Sequence, residues 1–195
     1  MNTPNKLTIF RILLIPVFLV FLYANWWSFA PLLVFVLAAI TDFLDGYIAR
    51  TKNLVTTFGK FADPLADKLL VTAALVAFVD LGYISGIIAI IVISREFIIT
   101  GLRLVAISDN KVIAAGFWGK LKTILQIVTI IVILLIEPAV RIFMTDYGFN
   151  GPWIVLNFER FVLPWLVMPM TAITVISGFD YVWKSRKLLK MGGNE

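Results

Sequence analysis

Asp42-Phe43-Leu44-Asp45-Gly46-Tyr47-Ile48-Ala49-Arg50, followed after eight residues by Gly59-Lys60-Phe61-Ala62-Asp63-Pro64-Leu65-Ala66-Asp67, gathers four of the chain's twelve acidic residues. Both acidic pairs border long apolar runs. Asp42 and Asp45 are three apart, so on a helix they share a face, and at about 100° per residue Gly46, Ala49 and Arg50 fall in the same sector. Asp63 and Asp67 are four apart and stack likewise, with Gly59 one turn earlier. Two helices joined by a short loop can therefore aim four carboxylates and two close-approach glycines at one place. Carboxylates at apolar depth are costly without compensation, and four together repel one another unless a cation sits among them. A divalent metal site is the simplest resolution.

Composition bounds what surrounds that stretch. The 195 residues are 61% hydrophobic and only 15% charged, against roughly half and a quarter in soluble domains. An all-α integral membrane protein is expected, with one membrane domain over 1–195 and no separate soluble domain. Cysteine and histidine are both absent. That excludes disulfides and thiolate sites and removes the usual zinc ligand and the usual general base. Any metal must be held by oxygen, which favours Mg²⁺, Mn²⁺ or Ca²⁺. The net charge of +5 sits at helix ends and in short loops, as expected of topology signals beside an anionic leaflet and not of a nucleic-acid partner.

Apolar periodicity and length predict six transmembrane helices, over 7–25, 30–50, 59–81, 87–107, 120–136 (or 120–143) and 153–183. The first is expected to begin with an interfacial segment over about 1–10. The last is expected to break or tilt around Pro164 and Pro169, before a basic tail over 184–195 that anchors to anionic lipid. Lys6, Arg11, Arg50, Lys52, Lys60, Lys111, Lys120, Lys122, Lys184, Arg186, Lys187 and Lys190 fall on one side of this arrangement, and Arg141 and Arg160 on the other. The positive-inside rule then makes both termini and the acidic cluster cytoplasmic, with a polar, metal-binding cavity open to that side. Trp153, Trp165 and Trp183 read as interface anchors.

The pattern D-x₂-D-G-x₂-A-R-x₈-G-x₃-D-x₃-D is met here at Asp42, Asp45, Gly46, Ala49, Arg50, Gly59, Asp63 and Asp67. On these residues the chain resembles the CDP-alcohol phosphotransferases. The resemblance implies six membrane helices in the cytoplasmic membrane of a bacterium, a homodimer, and a divalent cation, Mg²⁺ or Mn²⁺. It implies Asp42, Asp45, Asp63 and Asp67 as metal ligands, with Asp67 also the catalytic general base. Gly46, Ala49, Arg50 and Gly59 would meet the CDP-lipid, where a Cβ on either glycine would stand in the way of a metal-bound diphosphate.

Two flanking features narrow the acceptor. Pro4-Asn5-Lys6-Leu7-Thr8-Ile9-Phe10-Arg11 sets Asn5, Thr8 and Arg11 within two helical turns. Spacing alone is equally compatible with a helix cap and a snorkelling arginine. Ser94-Arg95-Glu96-Phe97 and Arg103 put charge inside an apolar helix, Arg95 roughly 18 Å from its cytoplasmic end at 1.5 Å per residue. Such a charge faces the bundle interior or a polar cavity, either paired internally with Glu96 or an aspartate, or lining an anion pocket completed by Gly119-Lys120-Leu121-Lys122-Thr123. Both features resemble the branch of the family whose acceptor is glycerol 3-phosphate. That resemblance implies CDP-diacylglycerol and sn-glycerol 3-phosphate as substrates. It implies Asn5 and Thr8 as nucleotide contacts, and Arg95, Arg103, Lys120 and Lys122 as contacts to the acceptor phosphate. Inositol phosphate or serine are the alternative acceptors. A cation transporter is the rival of another class, but its charges should spread through the membrane depth and its halves repeat.

Overall fold

The computed structural model describes residues 3–24, 29–51, 57–108, 116–146 and 152–191. Among them are six helices and no strand: α1 (Thr3–Ala24), α2 (Ala30–Thr51), α3 (Thr57–Asp80), α4 (Gly86–Ser108), α5 (Phe117–Asp146) and α6 (Pro152–Met191). Two stretches, Phe117–Val140 and Phe161–Arg186, are long and apolar enough to cross a membrane, and Thr8–Ala24 and Ala30–Thr41 are shorter apolar helices. The prediction of an all-helical chain holds, with each helix within a few residues of its expected place except at three ends. α1 starts at Thr3. α5 runs on to Asp146, carrying Pro138 inside it. α6 continues for 40 residues through Pro164 and Pro169, so the expected break is absent and the basic residues from Lys184 onward belong to the helix. A proline removes one backbone donor, whereas breaking the helix would strand several in an apolar setting, so continuation is the cheaper outcome.

The chain divides into two compact units. The first comprises Met1–Asp80 and Ile130–Val155. There α1 lies against both α2 and α3. Its buried face is Thr8, Arg11, Leu14 and Phe18, spaced three, three and four residues apart. Phe18 meets Phe35 of α2 with ring centroids 6.0 Å apart and planes tilted by 55°, a favoured aromatic geometry. α3 contributes Ala66, Leu70, Ala74, Ala77 and Phe78. The alanines let helix backbones approach closely, which is how helices associate where lipid removes the hydrophobic drive. Connections of only a few residues between α1, α2 and α3 make neighbours run antiparallel. The start of α1, the end of α2 and the start of α3 therefore share one end of this unit.

The second unit comprises Leu81–Thr129 and Leu156–Glu195. It opens on a tight turn where Gly82 holds φ +79°, a left-handed conformation that glycine adopts without cost. Ser85 caps α4, its Oγ accepting from Ile87 N–H at 3.3 Å. α5 and α6 are antiparallel. Gly116 neighbours Asp180, and thirteen residues further along α5 the Thr129 hydroxyl donates to the Leu166 carbonyl at 3.4 Å, fourteen residues back along α6. Along this pair the interior changes character. Leu163, Val167 and Met170 give way to Thr174, Ser177, Tyr181 and Ser185 on α6, and Lys122, Gln126 and Thr129 are buried on α5.

Candidate functional site

In the first unit the motif residues fall where the sequence put them along the chain. Asp42, Asp45, Gly46, Ala49 and Arg50 occupy the last turns of α2, and Gly59, Asp63 and Asp67 the first turns of α3. Helix is continuous through each set, so the i, i+3 and i, i+4 spacings keep each acidic pair on one face. The side chains of these residues, and of Asn5, lie outside the described residues. Their helical neighbours are described: Thr41, just before Asp42, is buried and donates to the Ala38 carbonyl at 2.7 Å. Ala66, just before Asp67, is fully buried. Thr8 is likewise fully buried and Arg11 nearly so, both on the α1 face that meets α2 and α3. The donor set suits a hard divalent cation, being four carboxylates in a chain with neither histidine nor cysteine.

In the second unit the structure brings some predicted acceptor contacts together and leaves others apart. Arg95 is largely buried on α4, with Gly119 of α5 and Gly178 of α6 on two sides of it. A methyl group on Gly119 would stand 3.9 Å from Arg95 Nη2. Lys122 is fully buried, and its ammonium donates to Glu96 Oε1. The same oxygen lies 3.9 Å from Arg95 Nη1. One carboxylate thus stands between two cations, and the internal pairing left open by the sequence forms here through Glu96. Arg103 and Lys120 are exposed.

Two polar side chains in this unit, Gln126 and Ser185, were not foreseen. Arg95 Nε, Gln126 Nε2, Tyr181 OH and Ser185 Oγ are buried with no hydrogen-bond partner among the described residues. Buried polar atoms normally find one, so a polar guest suits this part of the interior. A sequence signal existed: Ser177, Tyr181 and Ser185 recur every four residues on α6, as do Lys122 and Gln126 on α5. At the end of α6, Asp180 accepts from Lys184 at 2.8 Å, and Asp180 Oδ2 would be 3.5 Å from a methyl group on Gly116. Of the expected interface anchors, Trp165 and Trp183 are exposed, and the Arg186 guanidinium lies 3.7 Å from the Trp183 ring centroid. The Trp153 side chain lies outside the described residues.

Two helices long and apolar enough to cross a membrane, in an all-helical set of described residues that carries an acidic motif, suggest a helical membrane protein. The chain belongs to the CDP-alcohol phosphatidyltransferase family, which matches it over residues 1–176. It is similar to the CDP-diacylglycerol–glycerol-3-phosphate 3-phosphatidyltransferase of Bacillus subtilis (strain 168), with 38% identity over 97% of both chains. The protein of the same name from Rickettsia typhi is 37% identical over 92% of this chain and 94% of its own. That of Haemophilus influenzae is 44% identical over 66% of this chain and 73% of its own.

Proposed function

We propose that the chain transfers the phosphatidyl group of CDP-diacylglycerol to sn-glycerol 3-phosphate, releasing CMP and forming phosphatidylglycerol phosphate. The observation that carries this reading is the eight-position acidic motif on two helix ends that share one end of the first unit, in a chain alike over nearly its whole length to relatives named for that reaction. The glycerol 1-hydroxyl attacks the lipid-side phosphorus, a new P–O bond forms, and the bond to the CMP oxygen breaks. Asp67 accepts the hydroxyl proton as that bond forms, a role with no histidine to compete for it. Asp42, Asp45, Asp63 and Asp67 hold the divalent cation, Mg²⁺ or Mn²⁺. When bound it supplies charge neutralisation along the diphosphate and the leaving group. Gly46 and Gly59 leave room for the diphosphate beside helix backbone, with Ala49 and Arg50 alongside, and Asn5 and Thr8 meet the nucleotide. Phosphoryl-type transfer demands mostly positioning and electrostatics, which these residue types provide.

The acceptor phosphate is held by Arg95, with Lys122 adding charge from within and Arg103 and Lys120 contributing from exposed positions. A guanidinium fits a phosphate through two parallel hydrogen bonds, which favours a phosphorylated acceptor over an uncharged one. All six helices cross the cytoplasmic membrane as one domain, with the termini and the site on the cytoplasmic side, and the protein acts as a homodimer. Purified protein offered CDP-diacylglycerol with glycerol 3-phosphate, inositol phosphate or serine tests the assignment. CMP release with glycerol 3-phosphate supports it, and release only with another acceptor overturns it.

A further inference from the structure

We propose that Glu96 is the positioning residue of the acceptor-anion seat: it turns Arg95 so that the Nε–Nη2 edge of the guanidinium faces a phosphate oxyanion. The inference rests on the reading of Arg95 as the acceptor contact. Lys122 is fully buried, and an ammonium there is costly unless a counter-charge meets it. Glu96 Oε1 is that counter-charge, and because the same atom faces Arg95 Nη1 at 3.9 Å, it ties the two cations to one point. The guanidinium is planar and already anchored through its Cδ–Nε bond, so holding Nη1 in one direction sets the plane and presents the opposite edge. On that edge Nη2 lies beside Gly119, and Nε is buried without a hydrogen-bond partner among the described residues. Nε and Nη2 are the two donors that suit bidentate oxyanion contact.

Charge and geometry give opposite expectations for removing this carboxylate. Arg95, Glu96 and Lys122 together carry +1, and Glu96→Gln would make that +2. Coulomb attraction alone would then tighten binding of an anionic acceptor. If Glu96 works by positioning, loss of its hold on both cations weakens binding instead.

The test uses the full-length protein in detergent with CDP-diacylglycerol and glycerol 3-phosphate, measuring KM for each substrate, kcat and thermal unfolding for Glu96→Gln, Glu96→Asp and Arg95→Lys. For Glu96→Gln the acceptor KM is expected to rise about tenfold, with KM for CDP-diacylglycerol and kcat within about twofold of the parent. Glu96→Asp, which keeps the charge one methylene short, should show a smaller rise, and it carries the test alone if the Gln variant does not fold. An acceptor KM that stays constant or falls overturns the proposal. So does an equal rise for both substrates with a lowered unfolding temperature, the signature of a purely structural role. If Arg95→Lys leaves the acceptor KM unchanged, the underlying reading of Arg95 fails. If Arg95→Lys raises it while Glu96→Gln does not, only the role of Glu96 fails.

Discussion

Gly178 of α6 lies directly against Arg95 of α4: a methyl group on the glycine would stand 3.3 Å from Arg95 Cγ. That is tighter than an ordinary van der Waals contact, so the arginine stem must yield by a few tenths of an ångström. Gly178→Ala is therefore expected to move the guanidinium and raise KM for glycerol 3-phosphate about three- to tenfold, leaving KM for CDP-diacylglycerol unchanged. Steady-state kinetics with each substrate varied in turn check this.

Phe18 anchors α1 to α2 through Phe35, and it is fully buried. Truncation opens a cavity that surrounding helices fill only in part. In a lipid-embedded bundle the unfolded reference is also apolar, so mainly the packing loss remains. Phe18→Ala is expected to cost about 2 kcal/mol and to lower the thermal unfolding midpoint in detergent, a shift that Phe18→Leu should largely avoid.

The Asp180–Lys184 pair is a contrast. Its distance is 2.8 Å, but the Lys184 side chain is 62% exposed. Exposed i, i+4 pairs contribute on the order of 0.3–0.5 kcal/mol and are screened by salt. Lys184→Ala should therefore leave the unfolding midpoint almost unchanged, as thermal scans at low and high ionic strength would register.

If the four carboxylates hold the cation, in a chain with neither histidine nor cysteine, activity should depend on a hard cation. Chelation with EDTA is expected to abolish CMP release, and Mg²⁺ or Mn²⁺ to restore it. Asp42→Ala or Asp63→Ala should lose at least about a hundredfold in kcat even at saturating metal. Recovery by EDTA-treated protein without added cation would contradict the oxygen-only site.

The helices were legible because long apolar runs bounded by short polar connections leave little choice of secondary structure. The motif was legible because its spacing matches the helical repeat. The continuity of α6 was not, since Pro164 and Pro169 read as breakers when the neighbouring backbone bonds that favour continuation are out of view. The placement of the lysines was also hidden. Lys120 and Lys122 are two apart, so a helix turns them to different sides, and only the buried series Lys122, Gln126, Thr129 and Ile133 tells which one faces inward. The partnership of Glu96 with Lys122 spans 26 residues of sequence, and no local pattern encodes it.

CMP release from CDP-diacylglycerol by Asp67→Asn, with the parent protein alongside at saturating glycerol 3-phosphate and metal, tests the central claim most directly. The substitution preserves size and removes the proton acceptor. Turnover is expected to fall by at least about a thousandfold while the protein remains folded and still binds the CDP-lipid. Turnover within about tenfold of the parent would contradict that claim.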